Sequence, residues 1–231
     1  PTNVMGTSKL MGERLMTAAN SHKHGNGPIF ASTRFGNVLG SSGSVIPIFH
    51  NQIAKGWPVT LTDPDMTRFV MSIEGSVRLV IDSVQLAQGG EVFITKMPVI
   101  RIQDLATAMI RELAPRYGYE PADIEVRVIG TKPGEKLYEE LMNDEETRRS
   151  VELSRYFAVL PAFRGIYHDI DYCYDDLVTD TVTNPYVSSQ QAAISVDQIQ
   201  SLLKEHGLLG EPDEDIATRY FPGDKEQRSS R

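Results

Sequence analysis

An α/β fold is predicted by three features of this chain. Short apolar runs bounded by turn residues, at 29–35, 58–62, 91–94 and 156–161, alternate with stretches of helical periodicity. A Gly- and Ser-rich segment, 36–44, directly follows the first of those runs, where an α/β sheet brings strand ends and backbone N–H groups to a ligand. Hydrophobic residues make up 40% of the 231 positions, ample for a buried core.

The elements follow in order. Asn3 is a good helix N-cap, with Leu10, Arg14 and Leu15 at helical spacings behind it. Residues 22–27 form a polar break, in which His22 and His24 read as solvated loop side chains, without a carboxylate to complete a metal site. Ile29 to Phe35 reads as a buried strand ending at Gly36, and Val45 opens a helix that ends near Lys55-Gly56. A strand over 58–62, a turn at Asp63-Pro64-Asp65 and an amphipathic helix over 73–87 come next, the helix lined by Val77, Val80, Ile81 and Val84. Strand 91–94 leads to a helix over 102–113, whose Met109 and Ile110 are core residues, then to a half-buried edge strand at 124–129. Pro133-Gly134 makes a turn into a short helix over 135–142, and 143–149 is a solvated helix or loop. Residues 167–172 read as a surface segment, Ser195 caps a final helix stopped by Gly207, and the polar stretch 211–231 is expected to be disordered.

The formal charge of −8 argues against a nucleic-acid surface. Cys173 is the single cysteine, which excludes a disulfide framework and fits a reducing, cytoplasmic setting. No apolar run approaches the ~20 residues needed to span a bilayer.

Four strings carry chemical meaning. In Pro1-Thr2-Asn3-Val4-Met5-Gly6-Thr7-Ser8-Lys9, Met5 and Lys9 are four apart and share a helix face, so Lys9 can bring positive charge to a reacting oxygen. The others are Arg34-Phe35-Gly36-Asn37-Val38, Asp63-Pro64-Asp65-Met66-Thr67-Arg68-Phe69, and Lys132-Pro133-Gly134-Glu135-Lys136-Leu137-Tyr138-Glu139. The first is similar to the catalytic helix of extended short-chain dehydrogenases, with Met5 where their Tyr-x-x-x-Lys pair has Tyr. That departure resembles the CapD-like nucleotide-sugar 4,6-dehydratases of polysaccharide biosynthesis, and the other strings resemble the same family over residues 1 to 160.

The resemblance implies the C-terminal part of a Rossmann-type doubly wound parallel sheet, interleaved over 1–210 with a smaller α/β substrate-binding domain. With no Gly-rich dinucleotide fingerprint after a strand, about 100–150 residues of such an enzyme are expected to lie outside this chain. The resemblance also implies roles. Lys9 and Arg34 fall to the cofactor, NAD or NADP, and Lys9, Met5 and Ser8 to the catalytic end. Asn37, Ser44, Val45, Arg68, Lys132 and Glu135 fall to a UDP-N-acetylhexosamine such as UDP-N-acetylglucosamine, with Arg68 and Lys132 on its diphosphate and Glu135 on ribose hydroxyls. The implied reaction oxidises C4, eliminates water across C5–C6 and returns the hydride to C6. Met5 has no titratable proton, so the base is Ser8, Thr7 or an acid outside the chain; the last is preferred, since a hydroxyl would itself need activating. A homo-oligomer is expected of the full-length enzyme. The alternatives are a UDP-hexose 4-epimerase and a non-catalytic nucleotide-sugar-binding module.

Overall fold

The computed structural model describes residues 3–21, 27–41, 44–131, 133–162 and 170–210. In chain order its elements are α1 (Val4–Ser21), β1 (Ser32–Arg34), β2 (Asn37–Val38), α2 (Val45–Ala54), β3 (Val59–Leu61), β4 (Thr67–Met71) and α3 (Ile73–Leu86). Then come β5 (Val92–Thr95), β6 (Val99–Arg101), α4 (Ile102–Leu113), β7 (Val126–Val128), β8 (Glu140–Met142) and α5 (Asp144–Thr147). The last are β9 (Ser150–Leu153), β10 (Tyr156–Val159), β11 (Leu177–Thr179), β12 (Tyr186–Val187) and α6 (Val196–Glu205).

The architecture is mixed α/β. The largest sheet has the order β1-β5-β10-β9-β11. Its β1/β5 pair is parallel, with α3 on the connection between them, as a strand–helix–strand unit requires. Beyond β5 the sheet turns antiparallel, departing from the expected all-parallel arrangement. For β9 and β10 the cause is local: only Ser154 and Arg155 separate them, and so short a link can join only antiparallel neighbours. A second sheet, β2-β4-β6, puts Asn37 level with Val70 in a parallel pair and β4 antiparallel to β6. Two-stranded pairs β3/β7 and β8/β12 complete the set.

Helix starts follow the sequence closely. The Asn3 side-chain oxygen accepts from Gly6 N at 2.8 Å, satisfying a first-turn donor of α1. Ser195 and Gln198 form a reciprocal capping box on α6, and Gly207 takes φ +63°, the left-handed stop expected there. Apolar side chains of α2, α4 and α6 share one cluster, with Phe49, Ile53, Leu105, Met109, Ile199 and Leu203 essentially sealed from water.

Several expectations need correction. The strand placed at 29–35 is regular only over 32–34, and the Gly- and Ser-rich segment 36–44 contains β2. The apolar line of α3 does not face the core: Val77, Val80, Ile81 and Val84 are 48–78% exposed, while Leu79 and Ser83 point inward. β7 is exposed at all three residues rather than half-buried.

No helix forms over 135–142. Thr67 N donates to the Leu137 carbonyl, and Ser188 N and Glu139 pair through the Glu139 carbonyl at 2.8 Å. These tertiary partners occupy carbonyls that a helix would need for its own N–H groups, and the segment ends as β8 instead. Segment 143–149 is not solvated throughout. It holds α5, capped by Asn143, with Glu146 buried. The break at His22 and His24, residues 167–169 and the stretch 211–231 lie outside the described residues.

Candidate functional site

Helix α1 carries the proposed chemistry on an open face. Met5 is 69% exposed, and Ser8 and Lys9 are also exposed. The Ser8 hydroxyl donates back to the Met5 carbonyl at 2.8 Å, a local bond that engages its proton. The Lys9 ammonium forms no hydrogen bond or ion pair among the described residues, so its three donors stay on the exposed face of α1.

Arg34, one residue before the turn into β2, is arranged otherwise. Its Nε and one terminal nitrogen donate to the two Glu13 oxygens at 2.6 and 2.7 Å. The terminal nitrogens also donate to the Glu146 oxygens at 2.8 and 2.7 Å and to the Leu141 carbonyl at 2.7 Å. All five N–H groups are thereby engaged within the protein, so the expected cofactor contact finds no donor left to make it. Burial by itself would lower the guanidinium's pKa, but the hydrogen bonds to Glu13 and Glu146 outweigh it and push the value up. Burial likewise works to raise Glu146, and the Arg34 guanidinium overcomes this and holds the carboxyl below its usual range.

From Arg34 the chain crosses Phe69 closely. A Cβ on Gly36 would lie 2.6 Å from the Phe69 Cβ and closer still to its carbonyl, so only glycine fits. Asn37 then emerges exposed on β2, level with Val70 and two residues along β4 from Arg68. Ser44 precedes α2 as its N-cap residue but makes no capping bond. Its hydroxyl oxygen is buried without a partner among the described residues, a group that a ligand hydroxyl or phosphate could satisfy. Val45, half-buried, packs against the α2–α4 core.

Arg68 and Glu135 are brought together. Arg68 donates to the carbonyls of Thr67, Leu137 and Lys136 at 2.7, 3.2 and 2.6 Å, fastening loop 135–139 onto β4. Burial lowers its pKa, partly offset by the carboxylates of Glu139 and Glu135. Thr62 Oγ1 donates to Glu135 Oε1 at 3.3 Å, holding that carboxylate at the same edge. Lys132 lies outside the described residues.

Sequence reasoning missed four supporting residues. Glu13 had a signal, one helical turn after Lys9. Glu146 had one in the Asn143-x-x-Glu146 capping pattern. Glu139 accepts from Phe69 N at 3.3 Å, and burial pushes its carboxyl up against the opposing pull of Arg68. Ser188 bonds Thr67 Oγ1 at 2.8 Å and accepts from Glu139 N at 2.9 Å across 121 and 49 residues, which no local pattern foretells. Among the described residues there is no cluster of metal-ligating side chains, and no helix is long and apolar enough to cross a membrane.

Comparison with known proteins fits this arrangement. The family described as polysaccharide biosynthesis protein matches residues 1–161. A protein of Methanocaldococcus jannaschii named as an uncharacterized membrane protein is 55% identical over 161 residues, covering 70% of this chain and 48% of its own length. The inverting UDP-N-acetylglucosamine 4,6-dehydratase of Campylobacter jejuni is 36% identical over 173 residues, 74% of this chain and 48% of that enzyme. The UDP-glucose 4-epimerase of Rickettsia canadensis is 34% identical over 203 residues, 88% of this chain and 57% of that enzyme. The X-ray structure of Pen from Bacillus thuringiensis superposes with a TM-score of 0.80 at 40% identity, over 91% of this chain and 60% of that one. The chain therefore spans about half the length of the curated relatives it matches.

Proposed function

Because the chain belongs to the polysaccharide biosynthesis protein family, we propose that the whole protein is a nucleotide-sugar 4,6-dehydratase acting on a UDP-N-acetylhexosamine. The observation that carries this reading is the face of α1: a methionine, with no titratable proton, one turn before an exposed lysine whose side chain has no partner among the described residues. An epimerase needs a group there that can pass a proton to and from the C4 oxygen throughout its cycle. A dehydratase loses the C4 proton once and keeps the ketone in its product, so no proton returns to that oxygen, and Met5 serves as an apolar wall beside the sugar.

In this reading Lys9 holds the nicotinamide ribose and brings positive charge toward the C4 oxygen, favouring the deprotonated form of that hydroxyl. A bound NAD or NADP supplies reversible hydride acceptance. Ser8 is a poor general base, since its hydroxyl is tied to the Met5 carbonyl. The proton acceptor is accordingly an acid from outside α1. Arg68 and Lys132 take the diphosphate, whose charge a planar guanidinium matches well. Glu135 takes ribose hydroxyls, and Asn37 and Ser44 hydrogen-bond the remainder of the nucleotide sugar beside Val45. The β1–α3–β5 unit stands as the end of a larger Rossmann-type sheet, with the other small sheets forming the substrate-binding part.

The test is a product assay. The complete protein incubated with UDP-N-acetylglucosamine should yield a 4-keto-6-deoxy sugar, lighter by one water and identifiable by NMR. An isomer of unchanged mass with inverted C4 would instead establish the epimerase, which the Rickettsia relative's name suggests. Binding without turnover would establish a non-catalytic module.

A further inference from the structure

Against the described residues, helix α1 is long but hardly embedded. None of its side chains joins any of the three apolar clusters, and among those described only Asn20, near its C-terminal end, is buried. Asn20 accepts from Phe30 N at 3.2 Å, which fixes that end. Upstream of it, α1 is held by the fork of Arg34 on Glu13, where the two side chains are 19% and 10% exposed. Glu13 lies one turn after Lys9 on the same face, about 6 Å along the axis. Any rotation or slide of α1 that moved Lys9 would have to break this fork.

The other side of the same guanidinium grips the opposite wall. Glu146 is 2% exposed, is the third residue of the α5 capping box, and accepts from Asn143 N at 3.2 Å. The Leu141 carbonyl belongs to β8, which continues directly from the loop that Arg68 fastens and that carries Glu135. A single side chain thus spans from the helix of the reacting end to the segment of the diphosphate end. The planar fork fixes angles as well as distances, which a lysine cannot do.

We propose that Arg34, through Glu13 and Glu146, is a positioning residue that sets where Lys9 stands relative to loop 135–141. It thereby matches the separation of the two ends to one bound nucleotide sugar. This rests on the dehydratase reading for its kinetic consequence, but the clamp itself can be tested without any chemistry.

The first arm is hydrogen–deuterium exchange on the complete protein. Glu13→Gln should speed exchange over residues 4–13 while leaving α4 and α6 unchanged, and unchanged exchange in α1 overturns the clamp. The second arm is a kinetic cycle of Glu13→Gln with Lys9→Ala, with Ser195→Ala as a control that loses a distant helix cap. Glu13→Gln should lower kcat by about tenfold or more with KM for the UDP-sugar within about threefold, the scale expected of a slightly misplaced group. In the Lys9→Ala background the same change should have almost no further effect, because it acts through Lys9. Arg34→Lys, which keeps the charge and loses the fork, should behave as Glu13→Gln does. An equal loss in both backgrounds, an equal loss in Ser195→Ala, or full activity in Arg34→Lys overturns the proposal. If the unaltered protein makes no keto-sugar, the dehydratase reading fails by that observation alone, and the positioning role for this reaction falls with it while the exchange arm still reports on the clamp.

Discussion

Replacing Gly36 by alanine is expected to be among the most damaging small changes available in this chain. The added Cβ would sit 2.6 Å from the Phe69 Cβ, nearly an ångström inside the 3.4 Å at which ordinary contact begins, and it would press on the Phe69 backbone as well. Phe69 cannot retreat: it is fully buried and stacked on Tyr186 with ring centroids 4.3 Å apart. The β1–β2 connection must therefore lift away, which strains the Asn37–Val70 pairing. Overpacking against backbone falls at the upper end of the usual range, about 3 kcal/mol. In a chain of this size that corresponds to a fall in Tm of roughly 6–12 °C. Gly12→Ala is the matched control, since its new methyl meets nothing within 4 Å in mid-helix. It should stabilise by about 0.5–1 kcal/mol through helix propensity alone. Scanning calorimetry or a circular-dichroism melt of the two variants makes the comparison. A Gly36→Ala protein melting within about 2 °C of the parent would refute the packing argument.

Other expectations concern charge and binding. Because the folded-state pKa of Glu146 is depressed, its contribution to stability is present above the unfolded value of about 4.3 and is lost as pH falls through the folded one. Glu146→Gln should therefore cost most near neutrality and little in strong acid, and urea titrations at several pH values would show parallel curves if the ion pair contributes nothing. Arg68→Ala, or Lys132→Ala, should weaken UDP-sugar binding by about 1.5–3 kcal/mol while sparing cofactor affinity. Calorimetry finding equal losses for both ligands would point to a structural role. Lys9→Ala should lower kcat by orders of magnitude and Met5→Ala far less, so steady-state rates showing equal losses would mean that Met5 does more than fill space.

What the sequence made legible was mainly what is decided within one or two turns of chain. Asn3 and Ser195 announced their helices because a cap acts three residues away, and α4 ran from Ile102 to Leu113 as its apolar spacing indicates. Segment 135–142 was misleading because its backbone is claimed by Thr67, Arg68 and Ser188, which are distant in sequence. The apolar stripe of α3 has a helical period, yet period alone does not say which side meets the core. At the candidate site, the strings around Arg68 and Glu135 were visible and do meet. The joining of Arg34 to Glu13 and Glu146 spans 21 and 112 residues, and only the folded chain reveals it.

The family match ends at residue 161, but the fold does not. Tyr186 exchanges hydrogen bonds with the Met97 backbone, Ser188 ties Thr67 to Glu139, and α6 seals the cluster around α4 with Ile199 and Leu203. On a chain made from its N-terminus, Arg68 and Glu135 are synthesised well before Ser188 exists to secure the loop between them. Loop 135–139 must then wait, with β8 lacking its β12 partner, until the chain has grown past residue 188. The edge that holds Arg68 and Glu135 is for that reason a late product of synthesis. A ribosome stalled short of that point would present loop 135–139 with neither β12 nor Ser188 to hold it.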